Sequence, residues 1–332
     1  MKALVYTGPE QLSYLDVPPP TVGEGDHLVR VCCVGICGSD MHAYLGHDDR
    51  RPAPLILGHE VAGVIEGGPR DGERVTVNPL VTCGTCPACR EGYDNLCPKR
   101  QIISMPPREG GFAEFLAIPG TNLVKVPDTV SLSQAALAEP IACGWHTVRR
   151  SLAVLYGAHN RALVLGGGAI GLGAALSLKA QGIDDVTIVE PNPARRTYLI
   201  DVCSQTVLET APENGLFDLV IDGVGYTSTR AAASACVRPG GVIGHIGLGE
   251  DQGGLDIRRM TLQEVTFVGT YTYTAEDFRQ TAHAIFEQRL GALDWTDHRS
   301  LADGGGAFED IRNGAVAEPK ILLVPTAAPE RN

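Results

Sequence analysis

A chain of 332 residues, 44% hydrophobic and 20% charged, is long enough to bury a large core and to divide into two domains. Its formal net charge of −12 repels phosphate backbones and argues against basic membrane-surface binding, so neither nucleic acid nor a lipid surface is expected as a partner. No apolar run reaches the ~18 residues of a membrane span, and the opening Met1-Lys2-Ala3-Leu4-Val5-Tyr6 reads as a first strand without a signal core, so the expected location is the cytoplasm.

Residues 1–140 read as β-rich. Short apolar runs such as Leu28-Val29-Arg30-Val31 and Arg74-Val75-Thr76-Val77 alternate with turns, for which the chain has 40 glycines and 22 prolines. Around residue 160 the rhythm changes. A buried-strand pattern at 162–165 precedes a helical stretch at 169–181, and further strands are predicted at 185–190, 217–222 and 241–247, separated by Ala-rich helical segments. Strands alternating with helices imply a doubly wound parallel sheet. A helix at 275–288 and a closing strand at 320–324 complete the prediction.

The ten cysteines of a long chain without an export signal point to metal rather than disulfides. Cys83-x2-Cys86-x2-Cys89-x7-Cys97 is the most specific signal. Four thiolates at this spacing can wrap one tetrahedral Zn(II) within a single loop, and Gly84, Pro87 and Gly92 suit its turns. All four ligands come from the protein, which leaves no position for substrate, so this site is expected to be structural. Two disulfides or four free thiols are the alternatives.

A dispersed second set comprises Cys37 in Gly35-Ile36-Cys37-Gly38-Ser39-Asp40-Met41-His42, His59-Glu60 after Gly58, and Glu139 and Cys143 in Ala138-Glu139-Pro140-Ile141-Ala142-Cys143. A catalytic zinc needs about three protein ligands and one open position.

Gly166-Gly167-Gly168-Ala169-Ile170-Gly171 fits the dinucleotide-binding G-x-G-x-x-G, because it follows a predicted strand, opens a predicted helix and precedes a second strand ending in Glu190. Gly166 permits the tight turn, Gly168 lets the backbone approach a pyrophosphate, and Gly171 allows close helix–strand packing. Glu190 would accept the adenosine ribose hydroxyls and repel a 2′-phosphate, which favours NAD over NADP; Arg195 and Arg196 pull the other way. Gly247-Leu248, at the end of a later strand, would lie on the same edge near the nicotinamide.

In their order along the chain, GICGSDMH, GHE, the four-cysteine lobe, AEP, GGGAIG and the closing KILLVP resemble the zinc-containing alcohol and polyol dehydrogenases of the medium-chain dehydrogenase/reductase family. The resemblance implies a β-rich chaperonin-10-like (GroES-like) catalytic domain, 1–142 plus 272–332, with a Rossmann NAD-binding domain, 143–271, inserted in it. It implies two zinc ions per chain, one catalytic in the cleft near the nicotinamide and one structural. Cys37 and His59 would be ligands of the catalytic zinc, Glu60 a neighbouring or exchangeable ligand, and Asp40 the partner of the second ring nitrogen of His59. The third ligand is Glu139 by analogy with polyol and threonine dehydrogenases, or Cys143 by analogy with other alcohol dehydrogenases; the i,i+4 spacing would put both on one helix face.

By the same resemblance, Ser39 contacts the alcohol and His42 passes its proton on, with zinc as Lewis acid and the nicotinamide as hydride acceptor. The implied activity is oxidation of a secondary alcohol, polyol or sugar-type small molecule by a homodimer or homotetramer. The alternatives are an L-threonine 3-dehydrogenase-like or other amino-alcohol activity, and a catalytically silent nucleotide-binding regulator. Gly269-Thr270-Tyr271-Thr272-Tyr273-Thr274 lacks the Arg that polyol dehydrogenases often carry after the last Rossmann strand, which counts against a sorbitol-like pocket; Tyr44, His47 and Tyr271 are candidates for pocket lining.

Overall fold

The computed structural model describes residues 1–157, 160–213 and 216–325, so the final residues 326–332 of the expected catalytic domain lie outside it. The chain divides into two compact units: Met1–Glu139 with Phe278–Phe286 and Thr296–Asn332, and Pro140–Asp277 with Glu287–Trp295.

In the first unit a seven-stranded sheet runs Leu123–Lys125, Arg74–Val77, Glu60–Glu66, Asp26–Gly35, Lys320–Val324, Thr296–Ser300, with Phe115–Pro119 also paired to Asp26–Gly35. Alternation places it: Val29 and Val31 are buried, while Arg30 between them reaches Glu66 at 3.2 Å. A three-stranded sheet, Gln11–Asp16, Lys2–Gly8 and Leu55–Ile56, adds further buried residues to the same core. Tyr44 belongs to that core, its ring 5.2 Å from Phe308, so it is a packing residue rather than pocket lining. The pair Leu80–Val81 and Gln101–Ile102 brackets the cysteine lobe in sequence.

In the second unit six parallel strands run in the order Thr206–Leu208, Asp185–Val189, Arg161–Leu165, Phe217–Asp222, Val237–His245, Thr266–Gly269. In chain order this is 3-2-1-4-5-6, the doubly wound arrangement whose switch point lies between the first and fourth strands. Parallel strands covered on both faces need continuous apolar runs, and Ala162 to Leu165 is buried throughout.

The structure departs from the sequence prediction in detail. The strand predicted at 241–247 starts at Val237 and ends at His245, because the N–H groups of Ile246 and Gly247 both turn to the Asp222 carbonyl, at 3.0 and 3.1 Å. The helix predicted at 275–288 stops at Phe286; Gln288 has a φ of 57°, which helix geometry does not allow. Thr206–Leu208, Thr266–Gly269 and Thr296–Ser300 were not predicted. Among the described residues no helix is long and apolar enough to cross a membrane.

Candidate functional site

The four cysteines of the lobe converge. Sγ of Cys86 lies 3.4 Å from that of Cys89, Cys97 lies 3.6 Å from Cys83, and Cys83 lies 3.9 Å from Cys89. A Zn–S bond of ~2.3 Å puts the sulfurs of a tetrahedral site about 3.8 Å apart, whereas a disulfide needs ~2.05 Å. All four thiols are free, and the geometry fits zinc. Among the described residues this is the only such group whose ligand atoms all lie within 4.8 Å of one another.

The second constellation is built around His59. The helix Gly38–Tyr44 begins just after Cys37, and Asp40 in its first turn closes that end by accepting the Cys37 N–H at 2.9 Å. The other Asp40 oxygen accepts the Gly58 N–H at 3.2 Å and lies 3.4 Å from His59 Nδ1. Ser39 Oγ stands 3.4 Å from the opposite ring nitrogen, Nε2. Burial opposes charge on the imidazole, yet the Asp40 carboxylate and the Cys37 thiol raise its pKa well above the ordinary value. An imidazole and a thiol side by side are a donor set that suits zinc once both have given up their protons.

Glu60 is fully buried. One of its oxygens accepts from Lys320 Nζ at 2.6 Å, and the other, Oε2, has no hydrogen-bond partner. Burial alone would lower the Lys320 pKa, but the charges of Glu60, Cys37 and Glu139 raise it. Its ammonium, which also donates to the Ile36 carbonyl at 2.7 Å, thus serves three candidate ligands. Glu139 is buried in the first turn of the helix Ala138–Leu152, and Cys143 lies one turn further on. Cys37, His59 and Glu139 do not draw their ligand atoms together as the four cysteines do. His42 and His47 are exposed.

In the second unit the glycine-rich turn joins the strand Arg161–Leu165 to the helix Ala169–Ala180. Gly166 has a φ of 95°, and a Cβ on Gly171 would collide with the Gly166 carbonyl oxygen, so both positions need glycine. A Cβ on Gly168 would meet nothing within 4 Å, which leaves the helix N-terminus, with Ala169 and Ile170, open to a phosphate group. Glu190 closes the turn: its oxygens accept the N–H groups of Gly167 at 2.9 Å and Asn192 at 2.8 Å. Each oxygen keeps a further lone pair for a ribose hydroxyl. Arg196 is held by the carbonyls of Glu190 and Pro191 and by Glu209, and the Arg195 N–H caps onto Asn192. Gly247 is buried, and Leu248 beside it is 80% exposed, an apolar side chain without cover.

Several residues at these sites escaped the sequence reading. Lys320 opens an apolar strand, and that position was its one signal. Ser104, whose hydroxyl lies 3.2 Å from His59 Nδ1, gave none. Asp222 ends its strand fully buried, accepts the N–H groups of Val224 and Gly225, and lies 3.2 Å from His245.

Comparison with known proteins agrees with this geometry. Residues 23–128 match the alcohol dehydrogenase GroES-like domain, and residues 169–288 match the zinc-binding dehydrogenase family. The chain is 32% identical to the L-galactonate-5-dehydrogenase of Escherichia coli K12, over 90% of this chain and 91% of that protein. It is 31% identical to the sorbitol dehydrogenase of Bacillus subtilis 168, over 82% of each. An alcohol dehydrogenase of Escherichia coli CFT073 solved with NADH superposes with a TM-score of 0.87 at 25% identity, covering 98% of this chain and 99% of that one.

Proposed function

Since the chain belongs to the zinc-binding, GroES-like alcohol dehydrogenase family, we propose that it oxidises a secondary hydroxyl of a polyol or sugar-type substrate with NAD. It is an oxidoreductase acting on CH–OH donors with zinc and a nicotinamide cofactor; the choice of substrate, of NAD over NADP and of each site residue is the proposal. Relatives that act on L-galactonate and sorbitol favour this class over an amino alcohol.

The observation that carries the reading is the arrangement about His59: Asp40 on one ring nitrogen, Ser39 on the other, and Cys37 beside it. Cys37, His59 and Glu139 would hold the catalytic zinc, with Cys143 the rival third ligand and Glu60 exchangeable. Bound there, zinc supplies Lewis acidity to a substrate hydroxyl. NAD, bound along the glycine-rich turn with its ribose on Glu190, supplies the hydride acceptor. Asp40, on Nδ1, would leave Nε2 to face the ligand side. Ser39, beside that nitrogen, would take the hydroxyl proton as it gives up its own, and His42, exposed on the same helix, would pass that proton on to water by way of the cofactor ribose. Lys320 offsets the negative charge that thiolate and carboxylates accumulate. Leu248 would cover the nicotinamide. Cys83, Cys86, Cys89 and Cys97 would hold the structural zinc. A cytoplasmic homo-oligomer completes the proposal.

The test is a screen of NAD reduction over hexitols, pentitols, sugar acids, sugar phosphates, simple secondary alcohols and threonine. Turnover confined to threonine would reverse the substrate class. No turnover of any of them by protein carrying two zinc equivalents would favour a silent regulator.

A further inference from the structure

We propose that Ser104 is a positioning residue for His59, held in place by a buried strut from Asp48 through Arg51; the proposal rests on the reading of His59 as a zinc ligand. Asp40 alone holds the ring loosely. Its Oδ1 is shared with the Gly58 N–H and stands 3.4 Å from Nδ1, while its Oδ2 is committed to Cys37. The Ser104 hydroxyl is nearer, at 3.2 Å from the same nitrogen, and Ser104 is fully buried, so no solvent molecule competes for that contact. A carboxylate can only accept, so Asp40 keeps the proton on Nδ1, and Ser104 Oγ becomes its second acceptor. That tautomer leaves the Nε2 lone pair for metal.

The position is held against the backbone's preference. Ser104 has a φ of 70°, in the left-handed region that residues other than glycine rarely adopt. Its carbonyl accepts from Arg51 Nε at 3.0 Å, and Arg51, 3% exposed, pairs with Asp48 at 2.6 Å. Backbone strain supported by a buried ion pair, with the side chain aimed at a candidate ligand, is the pattern of a site that fixes geometry. The strut also ties the loop after the helix Gly38–Tyr44 to the metal-facing ring.

Ser104→Gly removes the hydroxyl and relieves the backbone together, so the variant should fold at least as stably as the parent. Zinc affinity is measured by chelator competition on the purified full chain, with thermal midpoint alongside. One of two zinc equivalents should bind about 10- to 100-fold more weakly, the usual effect of losing a partner of a ligating His, with the other equivalent and the midpoint preserved. Unchanged affinity for both, while His59→Ala loses one, overturns the role of Ser104 and leaves the zinc site standing. Weakening of both together with a lowered midpoint would show a merely structural residue and also overturns it. Retention of both zincs by His59→Ala would overturn the ligand reading, and this inference with it.

Discussion

Cys97→Ala should melt the cysteine lobe and leave the rest of the molecule folded. Segment 83–97 contains one helical turn of four residues, Pro87–Arg90, and one 3-10 turn, Asp94–Leu96, and only Asn95 and Cys97 in it are buried. Fixing its backbone costs roughly 1–2 kcal/mol per residue, about 15–30 kcal/mol in all, and almost no apolar surface is buried in return. Metal is the compensating term expected: structural zinc contributes about 10–16 kcal/mol in zinc-finger peptides, and the lobe's backbone hydrogen bonds, such as Tyr93 N–H to the Ala88 carbonyl at 2.8 Å, add to it. Deleting the buried cysteine leaves three thiols and no closed tetrahedron. The variant should carry one zinc equivalent in place of two, and trypsin should cut at Arg90, Lys99 or Arg100 faster than in the parent. Two zinc equivalents in Cys97→Ala, or an unchanged tryptic pattern, would refute the reasoning.

Glu139→Ala should lose the catalytic zinc and Cys143→Ala should keep it; metal analysis of the two variants decides between them, and loss only in Cys143→Ala reverses the choice. kcat/KM should favour NAD over NADP, and Glu190→Gln, which removes the charge that repels a 2′-phosphate, should narrow that ratio at least tenfold; a parent that uses NADP equally well contradicts the role of Glu190. Asp277, buried between His146 at 2.7 Å and Arg149 at 2.6 Å, is an acid-sensitive group of the second unit. Burial would raise its pKa, but hydrogen bonds from His146, Arg149 and Thr274 hold it well below the carboxylate range. With the folded value below the unfolded one, its contribution is complete above about pH 4 and fades as pH falls through the folded value. Thermal midpoints from pH 5 down to 2 should fall more steeply in the parent than in Asp277→Asn, and parallel curves would count against it.

What the sequence made legible follows from how each site is assembled. The cysteine lobe closes within one short segment, so spacing alone carries its geometry, and the same holds for the glycine-rich turn, where the φ at Gly166 and the contact at Gly171 are local constraints. The parallel strands were readable because burial on both faces demands unbroken apolar runs. Thr206–Leu208, Thr266–Gly269 and Thr296–Ser300 were not, because edge strands with exposed faces carry no such run. The surroundings of His59 are the opposite case from the lobe. Asp40 was legible through the resemblance of GICGSDMH, but Ser104, Lys320 and Arg51 reach the ring or its neighbours from separate segments, and each is an ordinary polar residue until the fold brings it in. Lys320 shows the cost of such assembly. A buried ammonium is tolerated only with its partners, and removing one side of the pair with Glu60 should cost about 3–5 kcal/mol. The charge balance that keeps Glu60 buried next to a candidate ligand is therefore encoded 260 residues away, in a strand whose apolar pattern announces only a core.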